Sequence, residues 1–395
     1  MAKNIGVNNN SLKQQNRGLI LKLIATGECA SRIELAKRTG LSKMSITNII
    51  NEFMAMEIVE EQDVQQSKGQ QGRHPICLSI GAKAPKIIGL LVHRDECVAV
   101  RCDLRLQVLK RSGIPMAAAE SGRLSDRLCG LIDDVMPSAK EERVWGIGIG
   151  AIGPVDIKQG MLLNPPNFFG IRDFEIVARL RERYGLPVSL DSQYNCAALA
   201  EKYFGIGKQY HDFIFVGIMN GIGSGIISDE RIFRNSNGLT SELGHISVDW
   251  QGNACSCGNR GCLETYTGTK VMEQKLRMAT GEDLDFRTFC EKAGREEDPV
   301  VDAIFLDAAE KMACALTSMV NLLNPQAIII GHEGVCIPEK YLRYMEERIN
   351  RQKLSGQYRQ IAVKKSSFGE EAHLQGCACG ILNRVFEGER TFWGK

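Results

Sequence analysis

No apolar run in this 395-residue chain approaches the roughly 18 residues that a membrane-spanning helix requires. No membrane partner is therefore expected. The N-terminal residues also lack the basic, apolar and small-residue order of a secretory signal. Fourteen cysteines in a chain without such a signal read as reduced thiols in a cytoplasmic protein. Net charge is only +2, too small to assign a partner. The length leaves room for two or three domains.

The distribution of charge says more than the total. Residues 1–50 hold eight Lys/Arg and two acids, so a basic head precedes a mildly acidic body. A head of this kind suits an anionic partner. Residues 1–15 are polar and Asn-rich and read as a loose arm. Ile20, Leu21, Leu23 and Ile24 then follow helical spacing, and Gly27 stops that helix. Ser31-Arg32-Ile33-Glu34 has the form of a capping box for a second helix ending at Gly40. Ser42 caps a third, with Ile46, Ile49, Ile50 and Phe53 as its apolar stripe. The other face of that helix carries Lys43, Ser45, Thr47, Asn48 and Asn51.

Two short helices joined by Thr39-Gly40-Leu41-Ser42 form a helix-turn-helix. Amide and hydroxyl side chains on the third helix can read base edges, while Lys43 binds phosphate, and Arg32 is counted with the DNA-binding residues. Strands at Ile58–Gln62 and Ile76–Ile80 flank a polar loop with Arg73, which resembles a wing reaching a phosphate or the minor groove. Double-stranded operator DNA is the expected partner. A helical bundle with a solvated polar face, or a protein-docking module, is the competing reading. Residues 81–85 read as a linker. The expected division is therefore 1–82 for a winged helix-turn-helix and 83–395 for the body.

The body alternates strand-like and helical runs, as an α/β domain does. Gly148-Ile-Gly150-Ala-Ile-Gly153 matches GxGxxG, but Pro154-Val-Asp156 follows where a dinucleotide site needs a helix. Gly221-Ile-Gly223-Ser-Gly225 could cradle a phosphate, yet no Lys-Ser/Thr pair follows it as in a P-loop. Asp191 and Asn195 stand at a strand-to-helix junction, where they suit either a ligand or helix capping.

The densest chemistry lies in His245-x9-Cys255-x-Cys257-x4-Cys262. Thiolate and imidazole are the ligands of tetrahedral zinc, and Gly258 and Gly261 allow the loop to fold back around an ion. A cluster of buried free thiols is the alternative. Glu242 and Glu264 bracket these residues with charge that a structural zinc does not need, which suggests a polar ligand beside the metal.

These segments, with Asn164–Gly170 and Asn321–Gly331, resemble the ROK family of sugar-responsive repressors and sugar kinases across nearly the whole chain. The winged head resembles its repressor branch, which contains xylose and N-acetylglucosamine repressors. The resemblance implies an actin-like (ribonuclease-H-like) fold of two lobes around a cleft. It implies that Glu242, His245 and Glu264 contact sugar hydroxyls, with Asn167, Ser192 and Gln193 completing the site. Zinc on His245, Cys255, Cys257 and Cys262 would be structural.

The departures from the family are as informative as the matches. Family kinases carry Asp-x-Gly-Gly-Thr on the first hairpin, where this chain has Leu91-Val-His-Arg-Asp95. Their Asn-Asp pair is replaced by Ser192-Gln193, and a neutral amide is no base for a sugar hydroxyl. Their Gly-Gly is replaced by Gly331-His332. The expectation is a non-enzymatic, dimeric or tetrameric repressor of carbohydrate-utilisation genes that binds a sugar or phosphosugar. The alternatives are an ATP-dependent sugar kinase with a regulatory head, and a regulator controlled by a protein partner.

Overall fold

The computed structural model describes residues 9–63, 76–116, 123–138, 142–165, 168–295 and 298–393. The chain begins with α1 (Asn9–Ala25), α2 (Arg32–Thr39), α3 (Lys43–Ala55), β1 (Val59–Asp63) and β2 (Ile76–Ile80). It continues through β3 (Lys86–Val92), β4 (Glu96–Cys102), β5 (Val108–Pro115), α4 (Leu124–Val135), β6 (Val144–Ala151), β7 (Val155–Asp156) and β8 (Met161–Leu162). Next come α5 (Ile176–Tyr184), β9 (Val188–Ser192), α6 (Gln193–Phe204), β10 (Phe213–Ile218), β11 (Ile222–Ser228) and β12 (Arg231–Ile232). After a long loop follow α7 (Glu264–Thr267), α8 (Thr269–Thr280), α9 (Phe286–Arg295), α10 (Pro299–Leu323), β13 (Ala327–His332), α11 (Glu339–Gln352), β14 (Ala362–Lys365) and α12 (Ala372–Phe386).

Contacts group these elements into two units. One draws on residues 1–149, 176–190 and 378–395, the other on 150–175 and 191–377. Two five-stranded sheets repeat one plan, in the orders β5-β4-β3-β6-β9 and β12-β11-β10-β13-β14. Each is a three-stranded meander with two later strands added beside its first strand. β10 pairs antiparallel with β11 and parallel with β13, so helical crossovers must return the chain to the sheet edge. β3 is buried along its whole length, as a central strand covered on both faces is.

The head follows its local signals closely. Ser31 Oγ accepts from the Glu34 amide, and Glu34 reaches back to the amide of Ala30. Gly40 closes α2 in the left-handed conformation (φ 71). Ser42 caps α3, and Ile46, Ile49, Ile50 and Phe53 are buried. β1 and β2 pair antiparallel from Val59↔Ile80 to Asp63↔Ile76.

Two expectations need correction. The loose arm read over residues 1–15 is helical from Asn9, because its polar residues continue the turn spacing of α1; residues 1–8 lie outside the described residues. The linker at 81–85 is a packed turn. Gly81 donates to Ile58 O at 2.9 Å, Ala84 and Pro85 are buried, and Lys86 Nζ donates to Ala82 O and Ala84 O at 2.9 and 2.8 Å.

Candidate functional site

In the second unit, the loop after Leu243–His245 doubles back through antiparallel bridges Ser247↔Cys262 and Ala254↔Arg260. Gly258 (φ 92) and Gly261 (φ 68) turn it. A Cβ on Gly261 would fall 1.7 Å from Asp249 O, so no other residue fits there. The fold-back brings His245, Cys255, Cys257 and Cys262 together, with one ligand atom of each within 4.8 Å of the others. Cys255 Sγ lies 3.6 Å from His245 Nδ1, and Cys257 Sγ 3.6 Å from Cys262 Sγ.

Those separations fit zinc. Zn–S of about 2.3 Å and Zn–N of about 2.0–2.1 Å, in a tetrahedron, put S···S at about 3.8 Å and S···N at about 3.6 Å. Zinc bound there would cross-link the loop and keep its ligands deprotonated. Burial pushes the Cys262 thiol up to about 12 and raises Cys255, whereas the Asn259 amide donating to Cys257 lowers that thiol.

The two carboxylates stand against this cluster. Glu264 Oε1 is 3.6 Å from His245 Nδ1 and accepts from Cys255 Sγ at 3.4 Å. Its Oε2 faces the glycine turn, 3.6 Å from where a Cβ on Gly221 would stand. Glu242 accepts from Thr240 Oγ1 at 3.4 Å, and burial raises its pKa. Its Oε1 would lie 3.1 Å from a Cβ on Gly153, which gives the rejected GxGxxG run a packing role. His245 Nδ1 thus faces both Cys255 and Glu264.

Ser192 and Gln193 open α6. Ser192 Oγ is committed to the Asn195 amide at 3.1 Å. Gln193 is 2% exposed, and its Oε1 has no hydrogen-bond partner among the described residues. Asp191 Oδ1 accepts from the Ser192 amide and Asn195 Nδ2, and its Oδ2 pairs with Arg234 at 2.5 Å. Sequence reasoning missed Arg234, which no motif marks. Asn167 lies outside the described residues.

Tyr194 changes the reading of the glycine turn. A Cβ on Gly223 would meet its ring at 1.9 Å, and one on Gly217 at 2.5 Å. The strand face leading into that turn, at the Gly217↔Gly223 pair, is covered by this ring. His332 stacks beside it, 5.4 Å from Tyr194 and 4.4 Å from His373 by ring centroids. His332 keeps a positive φ of 57°, a backbone suited to the glycine that the family kinases have there. Alternate glycines on neighbouring strands were the available signal, since such a bare face invites a large ring. In the first unit, the Leu91–Asp95 turn holds a buried His93 with Nδ1 3.3 Å from Asp95 Oδ2.

On the head, Lys43, Asn48 and Asn51 are exposed, and Ser45 and Thr47 are half-buried. Ser45 Oγ sits 2.9 Å from Ser42 Oγ at the cap. Arg32 pairs with Glu61 at 2.8 Å and donates to Asn51 Oδ1 at 3.3 Å, so it orients Asn51. Met44, missed from the sequence, is 75% exposed beside them. Arg73 lies outside the described residues. Among the described residues no helix is long and apolar enough to cross a membrane.

Residues 89–383 match the ROK family. The xylose repressor of Caldicellulosiruptor bescii is 28% identical over 393 residues, covering 95% of this chain and 97% of the relative. A ROK family transcriptional regulator, a homologue of the Escherichia coli Mlc protein, superposes with TM-score 0.77 at 25% identity, covering 96% of this chain and 98% of the other. A ROK hexokinase from Thermus thermophilus gives TM-score 0.63 at 28% identity, over 75% of this chain and 97% of its own. These likenesses carry the actin-like fold that the sequence led us to expect.

Proposed function

The chain belongs to the ROK family, and from that premise we propose that it is a sequence-specific DNA-binding repressor of carbohydrate-utilisation genes. Residues 1–82 act as a winged helix-turn-helix and 83–395 as the effector-binding body. The observation that carries this reading is α3, a capped helix with one buried apolar stripe and a solvent-facing polar side on a basic head. Lys43 serves phosphate, Ser45, Thr47, Asn48 and Asn51 serve base edges, and Arg32, paired with Glu61, orients Asn51. Arg73 serves the wing. Two heads of a dimer, or pairs within a tetramer, take half-sites about 34–36 Å apart.

Glu242, His245 and Glu264 receive sugar hydroxyls, together with Asn167, Ser192 and Gln193. Carboxylates suit hydroxyls because each oxygen accepts more than one hydrogen bond. Gln193 Oε1 would find its missing donor in such a ligand. Zinc on His245, Cys255, Cys257 and Cys262 is structural and holds the loop that carries Glu264's partners. The protein transfers no phosphate: Gln193 is a poor base, and Tyr194 covers the strand face leading into the glycine turn.

The test is operator binding by the full chain, with a duplex recovered by selection, titrated with xylose, N-acetylglucosamine and their phosphates. Release by one of them is expected. Specific binding that no sugar changes, together with a response to a protein partner, would replace the sugar-effector reading.

A further inference from the structure

An aromatic contact within the first unit has no part in the reading above. After α12 the chain turns through Gly388 (φ 78) into the short Arg390–Phe392 helix. Phe392 and Trp393 are buried. Trp393 stacks on Phe53, the last buried residue of α3, with centroids 5.5 Å apart and planes at 24°. It also meets Trp145 of β6 edge-on at 6.0 Å, and Phe392 lies 6.1 Å from the same Trp145. One indole thus touches both α3 and a strand of the first sheet.

Backbone contacts hold the same placement. A Cβ on Gly18 of α1 would fall 2.3 Å from Phe386 O, and one on Gly388 would fall 2.5 Å from Gln14 O. Helix α1 and the turn after α12 therefore meet backbone to backbone, which only glycine permits. Arg384 clamps the turn through Glu389, with two bonds of 2.6 Å, and lies 5.4 Å over the Phe392 ring. Arg143, just before β6, donates to Met56 O at the end of α3. Aromatic stacking of this kind contributes beyond area alone.

We propose that Trp393 is a positioning residue for operator binding: its indole, wedged between Phe53 and Trp145, sets the angle of α3 against the first sheet. The ring sits behind the buried stripe of α3, on the side opposite Asn48 and Asn51. It acts through Phe53 and makes no base contact. This inference rests on the DNA-binding reading. A dimer whose heads sample other angles binds with its affinity reduced by the competent fraction, so one competent dimer in ten gives a tenfold loss, about 1.4 kcal/mol.

The test compares the full-length wild type with W393A, W393F and K43A on the selected operator. W393A is expected to weaken binding about tenfold, and W393F to restore most of it. The salt slope should stay at the wild-type value, because the phosphate contacts are the same. Zinc content should also be unchanged, while amide exchange in α1 and α3 quickens. If W393A fails to fold, W393L, which fills most of the volume without a ring, makes the same comparison. Wild-type affinity and wild-type α3 exchange in these variants, with K43A weakened, would overturn this inference alone. A wild-type chain that selects no duplex would remove the DNA-binding reading itself.

Discussion

Replacing Cys257 by alanine separates metal from packing. Cys257 is exposed, so its loss opens no cavity, whereas Cys262 is fully buried and its loss would add one. Any destabilisation of C257A therefore reports the ion. Zinc held at 1,000 times its dissociation constant adds about 4.1 kcal/mol. In a unit of this size each kcal/mol moves the melting point by about 2–4 °C, so a site that no longer holds zinc melts roughly 10 °C lower. The assay is metal content of the purified chain, with calorimetric melting before and after chelation. Wild type should carry one zinc and melt lower in chelator, and C257A should carry none and ignore chelator. Burial pushes Cys262 up to about 12 and raises Cys255, so loading must expel thiol protons and weakens as pH falls. Full zinc content and an unshifted melting point in C257A would refute the four-ligand assignment. A metal-free wild type indifferent to chelator would favour packed thiols instead.

Lys43→Ala should weaken operator binding across sequences and reduce the salt slope by about 1; an unchanged slope in fluorescence anisotropy removes Lys43 from phosphate. Gln193→Asp restores a carboxylate but should give no ATP-dependent sugar phosphorylation, because Tyr194 still covers the strand face leading into the glycine turn. Steady ADP release with any sugar contradicts that. Lys340 and then Tyr341 hold Asp302 below the usual carboxylate range, and Arg348 does the same for Glu310. Depressed values stabilise the fold above the unfolded carboxylate pKa of about 4, and this is lost as pH falls through the folded values. Hydrogen exchange in α11 should therefore rise early on acidification; α11 opening no sooner than α6 would show that these pairs contribute nothing.

Features set by near neighbours were legible in the sequence. Ser31 with Glu34, Gly40 and Ser42 mark their helix ends because capping acts over three or four residues. The His–Cys spacing was readable because the loop folds on itself, with Gly258 and Gly261 where it turns. The α/β character followed from the alternation of strand and helix, and the actin-like fold from the family resemblance, whereas the repeated strand order of the two sheets was not read. Distant partners were not legible. Nothing beside Tyr194 in sequence announces that its ring lies on Gly217 and Gly223. Arg234 reaches Asp191, and Trp393 reaches Phe53, only once the fold exists. The segment 81–85 read as a linker because a short run of small residues and proline looks the same whether or not its amides are bonded.

The residues that depart from the kinase pattern are also packing residues. His332 keeps a glycine backbone at φ 57 yet is buried against Phe215, Tyr194 and His373, so its strain is offset by ring contacts. Beside it, Tyr194 covers a face that Gly217 and Gly223 leave bare, and His93 closes the β3–β4 turn from inside. Truncating Tyr194, which is half-buried, would uncover Gly217 and Gly223 and cost the unit its ring contact with His332. Glu242, His245 and Glu264 stay clustered throughout, beside the thiols. On the proposed reading, a ligand held there has no transfer step to drive. Its binding energy can act only through the difference in affinity between two states of the protein, which is what control of an operator requires.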